Sequence, residues 1–565
     1  MLFPWMKHNN LNWHQTIAQF MMSRRALWLL LAIMTGFVLI THQAVPMLDR
    51  DEARFSQASR QMAETGDVIT IRFLDELRAK KPAGIYWLQA SSAALFGIDD
   101  VASYRLPSLI GFLATLTLTY FFTQSLFPSP AAPLHGVLAG LMLASGPLLQ
   151  AEALLAKTDS LLLATILCQQ IMLWRIYRDS DLKSPASHWG AFWIALSASI
   201  LLKGPIGPLV SFVTIAGLCA LDRNISWLKR LCWGRGLLIV GFITLPWALA
   251  VTIATDGAFL KTAISADFLA KLQSGQESHG APFGTYFLLM FLMFFPASAF
   301  LCFVPLLGKS LLTDKASKFC LVWLVGYWFV IECVPTKLPH YILPLLPALA
   351  LLTSLALTRS LPVAGWKLAR LIDAGYIVAA LSGTLLCGAL FWVAIKYGGI
   401  TGGRAFVSVL LIFMLAALIL WHLWLWRAGR KIGDLVVILC AGAVLHFMAI
   451  GGVIAHLDSV HIAPHISRSI DQLEKKPSLI ALAGYHEPSA VFEIGRDVLL
   501  LTADEAALFL AEAKDALVII EERALPDFQK IADELALRLQ EVARVDGFNH
   551  SRGQDVSLRF FQVIR

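Results

Sequence analysis

Apolar runs long enough to cross a bilayer recur along most of this chain, and they leave few folds open to it. A membrane-crossing helix needs roughly 20 apolar residues, and about thirteen segments approach that length. They lie near 26–44, 102–126, 134–150, 159–176, 188–202, 204–221, 236–254, 283–307, 318–334, 341–357, 371–395, 403–426 and 433–455. The fifth and sixth are separated only by Lys203-Gly204-Pro205, and merging them gives twelve. Of 565 residues, 57% are hydrophobic and 15% are charged. That balance excludes an ordinary soluble enzyme and implies an all-α polytopic membrane body.

The basic residues orient it. Arg24/Arg25, Arg175/Arg178/Lys183, Arg223/Lys229/Arg230/Arg235, Lys309/Lys315/Lys318, Lys367/Arg370 and Arg427/Arg430/Lys431 all fall on one side if there are thirteen spans. With twelve, the alternation breaks. Such connections are cytoplasmic. Ser23-Arg24-Arg25 before an apolar run reads as a retained first span starting inside, with no cleavable signal evident. The formal charge of +7 is small for the length. It suits basic cytoplasmic loops and not a nucleic-acid surface. The eight cysteines have no CxxC spacing, so they imply neither a zinc cluster nor a disulfide framework.

This topology puts the polar oddities of the sequence on the outer face. The largest is Met47–Tyr86, dense in charge. Within it, Phe55, Ala58, Met62 and Ala63 have helical spacing over Asp49–Ala63, with Asp51, Glu52, Arg54 and Arg60 largely off that face. The pattern predicts a helix lying on the membrane surface. The same side receives Ala156-Lys157-Thr158-Asp159, Lys203-Gly204-Pro205, the loop Thr255–Pro282, and Pro335–Tyr341.

Beyond Leu457 the chain turns soluble in character. Strand-like runs start at Ser478, Val498 and Ala516, with helical patterns at Glu487–Ile494, Asp504–Ala513 and Pro526–Leu537, and a last strand over Ser557–Ile564. The division expected is a membrane domain over 1–456, with an outer loop at 47–101, and a small C-terminal α/β domain over 457–565 that serves acceptor contact or stability.

Each charged residue of the outer face has two readings. Asp51 and Glu52 can act as base or hold a cation, or they cap a helix and pair with Arg54. Lys81, before Pro82, can grip phosphate or snorkel to headgroups. Asp159 is a functional acid or, with Thr158, an N-cap. Lys203, between two short spans, answers an anion, pairs with an acid or snorkels. His279 is a metal ligand or a hydrogen-bonded loop residue. Lys337, His340 and Tyr341 grip phosphate or form an interfacial belt. Together they suit a phosphorylated, lipid-anchored substrate. No ATP motif is present, so the substrate must carry its own energy.

Several separated motifs resemble one family. Asp51-Glu52-Ala53-Arg54-Phe55 with Arg60, Gly66 and Asp67 resembles the DEARY…R(E)M…SGDW pattern of the lipid A aminoarabinose transferase and protein O-mannosyltransferase superfamily. Lys81–Leu88, including Tyr86 and Trp87, resembles its KPP-x-x-YWL, and Ala156–Asp159 its A-R-x-D. Leu201–Pro205 resembles LTKGP, Leu245-Pro246-Trp247 resembles LPW, and His279–Phe283 and Lys337–Pro344 complete the series. The likeness runs in order from about residue 45 to 350. Gly484-Tyr485-His486-Glu487-Pro488-Ser489 is similar to the tail of bacterial relatives.

The resemblance implies a GT-C fold of about thirteen membrane helices with amphipathic helices outside. It implies an inverting transferase of the bacterial inner membrane, facing the periplasm. That enzyme would move a sugar from undecaprenyl phosphate to lipid A or a related glycolipid, with membrane lipids as surroundings. By position, Asp51 is the catalytic carboxylate, Lys81 the lipid-phosphate lysine, Arg54 and Asp159 further site residues, and Tyr341 a phosphate-side tyrosine; Glu52, Tyr86, Lys203, Lys337 and His340 join the substrate set. A divalent metal would be held by His279 and the glutamate of an EKP motif. Lys80 stands in that glutamate's place, and a protonated ammonium cannot ligate, which leaves Glu277 or Glu76 as substitutes. Transfer to a protein hydroxyl is the alternative acceptor. A phospholipid flippase, which would need polar residues inside several spans, and a non-catalytic scaffold are the alternatives from other classes.

Overall fold

The computed structural model describes residues 13–48, 50–178, 186–263, 280–360, 366–398, 402–429, 431–513 and 515–564. Its first half contains α1 (Trp13–Met21), α2 (Arg24–Ala44), α3 (Asp51–Thr65), a two-strand hairpin of β1 (Arg72–Phe73) and β2 (Glu76–Leu77), α4 (Gly84–Phe96), α5 (Val101–Leu126), α6 (Ala132–Ser145), α7 (Pro147–Leu154), α8 (Asp159–Arg178), α9 (Ala186–Lys203), α10 (Ile206–Asp222) and α11 (Trp233–Ala254). Further long helices cover Lys315–Cys333, Leu346–Ser360, Trp366–Tyr397, Gly402–Gly429 and Ile432–Met448.

Every apolar run found in the sequence is helical, but they do not all cross in the same way. Among the described residues, nine helices are long and apolar enough to span a bilayer, or eleven if two bent pairs each count as one span. The two remaining runs, at 188–202 and 204–221, form α9 and α10. The bends are 69° between α6 and α7, and 120° between Thr285–Met293 and Ala297–Leu307. Pro147 begins α7, and Pro296 sits at the second break. Neither proline can donate a backbone hydrogen bond, so the helix is interrupted there. Ile206–Asp222 is apolar but shorter than a span.

A helix forms over Asp51–Thr65 where the spacing predicts one, while Asp49 lies outside the described residues. Phe55, Ala58 and Met62 are buried as the spacing predicts. Gly66, at φ +72°, ends the helix, and its amide donates to the Met62 carbonyl. Such a left-handed position favours glycine.

Glu52 departs from the pattern: it is buried. Its carboxylate accepts from Arg105 Nε at 2.7 Å and Nη2 at 3.0 Å, and from the amides of Ala156 at 2.9 Å and Leu48 at 2.9 Å. Arg105 spends its remaining donors on the carbonyls of His42, Val45 and Pro46. One fully satisfied ion pair therefore joins the end of α2, the start of α3, the first turns of α5 and the loop before α8.

The C-terminal unit is a five-stranded sheet in the order β4-β3-β5-β7-β6. β3 (Leu479–Ala483) runs parallel to β4 (Leu499–Leu501) and β5 (Ala516–Glu521); β7 (Gln554–Val563) pairs antiparallel with β5 and with β6 (Leu539–Asn549). Helices cover both faces. Ile462–Asp471 and Pro488–Ile494 lie over one, Ala503–Glu512 and Leu525–Glu534 over the other. The sequence reading missed β6. As an edge strand it has Gln540, Glu541, Arg544 and Asp546 exposed or half-buried and little apolar alternation.

Breaking a buried pair strands a charge and costs about 3–5 kcal/mol. Glu52→Ala is therefore expected to lower the unfolding midpoint of the purified protein sharply, whereas exposed Glu76→Ala leaves it nearly unchanged. Equal midpoints in a thermal unfolding series would contradict the role given to this pair.

Candidate active site

The loop after the β1–β2 hairpin reaches back over the membrane helices because α4 begins without a side chain. A Cβ on Gly84 would lie 2.7 Å from the Leu201 carbonyl oxygen. Only glycine allows that approach, and it sets Lys80, Lys81 and Pro82 beside the end of α9. A similar contact fixes α8. A Cβ on Gly111 would lie 2.5 Å from the Leu161 amide, and Ser160 Oγ donates to the Ser108 carbonyl at 2.7 Å. Trp87 Nε1 donates to the Val68 carbonyl and Trp247 Nε1 to that of Ile69, at 2.8 and 3.1 Å. Two motif tryptophans thus pin the loop between α3 and the hairpin.

These contacts close a cavity of about 390 Å³. One end is cationic, with Lys80, Lys81 and Lys203 beside Asp159, His340 and Tyr341. The rest is apolar, lined by Leu162 and Leu163 of α8, Ile206 and Leu209 of α10, Val330 of the Lys315–Cys333 helix and Val334 just beyond it. Asp159 is 6% exposed, and Lys203 Nζ donates to its Oδ1 at 2.5 Å. The charges of Lys203, Asp159, Lys157 and Lys81 all act on His340. Lys157 pairs with Glu152 at 3.1 Å. Burial opposes its charge, but the carboxylates of Glu152 and Asp159 prevail and hold its ammonium above the ordinary value. Asp51, exposed at the start of α3, also acts on Lys157.

The structure therefore brings Lys81, Lys203, Asp159, His340 and Tyr341 to one cavity, while Asp51 is not among its lining residues and acts electrostatically on Lys157. Other expected site residues lie elsewhere. Glu52 is committed to Arg105. Tyr86 is fully buried, and its hydroxyl accepts from Arg78 Nε at 3.0 Å. Lys337 Nζ donates to the carbonyls of Ile331 at 3.0 Å and Glu332 at 2.6 Å and pairs with the Glu332 carboxylate at 3.4 Å. Three donors then have three partners, and Lys337 closes the end of the Lys315–Cys333 helix instead of gripping phosphate. Asp159, paired and buried, positions Lys203 and is not a free base. Arg54 lines a separate polar groove of about 1010 Å³ together with Arg78, Lys80, His486 and Arg496.

The sequence reading missed Glu152, Lys157 and Tyr327 as members of this cluster. A carboxylate five residues before Lys157, at the end of an apolar run, was the available signal.

His279 and Glu277 lie outside the described residues. Glu76 lines the polar groove, beside Lys80. Among the described residues no group of three His, Cys, Asp or Glu side chains could hold a metal. In the 390 Å³ cavity, three ammonium groups face one carboxylate that is already paired. That lining suits an anion and does not fit a divalent cation.

ArnT from Cupriavidus metallidurans, solved bound to undecaprenyl phosphate, superposes with a TM-score of 0.76 at 16% identity, over 94% of this chain and 97% of ArnT. Residues 16–256 match the family described as dolichyl-phosphate-mannose-protein mannosyltransferase. The undecaprenyl phosphate-alpha-4-amino-4-deoxy-L-arabinose arabinosyl transferase of Pseudomonas paraeruginosa is 25% identical over 342 residues, 60% of this chain and 61% of that protein. Transferase 1 of the same name from Pseudomonas fluorescens is 27% identical over 376 residues, 64% of this chain and 65% of that protein. The alignments thus span less than two thirds of these relatives' length. The chain therefore has the fold of ArnT, and over residues 16–256 it is similar to that mannosyltransferase family.

If Lys81 faces an anionic head, Lys81→Ala will weaken binding of undecaprenyl phosphate by about tenfold, in line with the loss of one charge-assisted contact. Lys337→Ala will leave that affinity within about twofold, because its donors point into the fold. Titration of labelled lipid in nanodiscs separates the two, and an equal loss in both would refute the assignment.

Proposed function

We propose that this protein is an inverting glycosyltransferase of the bacterial inner membrane, with its site on the periplasmic face. It takes a sugar, aminoarabinose or a similar one, from undecaprenyl phosphate and passes it to lipid A or a related envelope glycolipid. The observation that carries this reading is the two-part cavity. An apolar wall formed by helices suits a polyprenyl tail, and the cluster of Lys80, Lys81 and Lys203 suits the phosphate at its end. The names of the similar transferases, and the lipid bound in the similar structure, agree with that pairing.

The chemistry is a single displacement. The acceptor oxygen forms a bond to the anomeric carbon while the bond from that carbon to the phosphate oxygen breaks, and undecaprenyl phosphate leaves with the electron pair. Lys81, with Lys203 held in place by Asp159, stabilises the charge growing on that oxygen. Asp51 takes the proton if the acceptor is a hydroxyl. If the acceptor is a lipid A phosphate there is no proton to take. Asp51 then positions it, and the surrounding cations offset the repulsion between the two anions. A protein hydroxyl is the second acceptor reading, favoured by the mannosyltransferase match over residues 16–256.

Lipid A from a strain lacking this gene is expected to lose one sugar mass in mass spectrometry. Asp51→Asn and Lys81→Ala, inserted normally, should fail to restore it. Full restoration by both variants would remove the site assignment, and an unchanged lipid A with a lost protein glycoform would move the acceptor to protein.

A further inference from the structure

The Gly484–Ser489 motif of the soluble domain plays no part in the chemistry above, yet it leads into a segment that lies along α3. Contacts occur at the start, middle and end of that helix. At the start, Arg50 has a left-handed backbone, φ +57°, immediately before Asp51, and no side chain caps the helix there. A non-glycine residue keeps such a conformation only where its surroundings fix it. Its guanidinium lies 3.8 Å from the carboxylate of Glu487. Glu487 is itself buried, accepting from Asn549 Nδ2 at 2.7 Å and pairing with Arg552 at 3.5 Å.

Further along, Phe492 inserts among Met47, Ala53, Ala93, Tyr104 and Ala156 and meets the Tyr104 ring edge-on at 5.4 Å. Arg60 donates to the Phe492 carbonyl at 3.1 Å, and its guanidinium stands 5.6 Å over the Phe492 ring. At the far end Arg496 reaches Glu64 at 3.6 Å. A surface helix held at three points, one of them beside a strained residue, is not merely covered.

We infer that the soluble domain splints α3, and that Glu487 and Phe492 are positioning residues that set where the Asp51 carboxylate stands. The inference deepens the functional proposal and rests on its reading of Asp51. Neither residue touches substrate. Glu487 fixes the turn at Arg50, and Phe492 fixes the helix against the loop that carries Lys157. Removing either leaves the lipid cavity as it is and loosens the carboxylate. The loss therefore falls on turnover and not on donor binding.

The test uses the full chain in nanodiscs, with Glu487→Ala and Phe492→Ala set against Glu522→Ala, a soluble-domain surface change remote from α3. Both splint variants are expected to lower kcat by about 10- to 100-fold, as small misplacements of a reacting group do. KM for the polyprenyl donor should stay within about twofold, since uniform binding is not removed. Amide exchange at residues 50–54 should accelerate while β3 and β5 stay protected. Glu522→Ala should match the parent protein. Unchanged kcat with unchanged exchange at 50–54 would overturn the inference, and so would loss of protection throughout β3 and β5, which would make the effect one of folding. If Asp51→Asn proves fully active, the reading of Asp51 fails, while exchange at 50–54 still decides whether the domain splints the helix.

Discussion

The buried Glu52–Arg105 pair holds the charged face of this protein in register. Arg105 is fully buried, and all five of its N–H donors have acceptors: the Glu52 carboxylate and the carbonyls of His42, Val45 and Pro46. Glu52 in turn receives two backbone amides, from Leu48 and Ala156. Buried charges are tolerable only when every lone pair and proton is satisfied in this way. The reward here is geometric. Three stretches distant in sequence, residues 42–52, Arg105 and Ala156, must meet for the pair to form, and two of them adjoin or carry Asp51 and Lys157. The residue beside the candidate carboxylate is therefore the scaffold that places it.

The site follows from charge placed at the edge of hydrocarbon. Lys81 and Lys203 would be costly beside apolar walls if nothing answered them. Asp159 answers Lys203, Glu152 answers Lys157, and the cations still outnumber the carboxylates among the residues lining the cavity. That surplus is what a phosphate needs and what a divalent metal does not. It also gives physical content to Lys80 where the family pattern has glutamate. The exchange reverses a charge at a point that lines both the apolar cavity and the polar groove.

What the sequence made legible, and what it hid, divides along the range of the forces involved. Local patterns were readable: the apolar runs, the amphipathic face of α3, and the strands β3, β4, β5 and β7 with the helices between them. The meeting of Lys81, Lys203 and Asp159 was readable through family motifs, although their contacts are long-range. Commitments of individual polar groups were not. Glu52 and Asp51 look alike as neighbouring acids, and only Arg105, 53 positions away, makes one structural. Lys337 resembles a phosphate ligand until the carbonyls of Ile331 and Glu332 are seen to take its protons. β6 was lost because an edge strand needs little apolar alternation.

The distinction between committed and uncommitted groups also explains why a loop so rich in charge can serve a membrane protein. Arg105, Glu52, Lys337 and Glu332 are charges whose contacts lie within the fold, and they brace the frame around the apolar cavity. Lys80 and Asp51 remain exposed. Satisfied charges cost little further desolvation and gain little from a ligand, so they cannot discriminate one. Exposed charges held on a rigid frame can, because the frame has already met the entropy of placing them. The strained backbone at Arg50 stands at the boundary between the two groups. On its one side lies the Glu52–Arg105 pair and on its other the C-terminal sheet domain, so Asp51 stands between two separate sets of contacts.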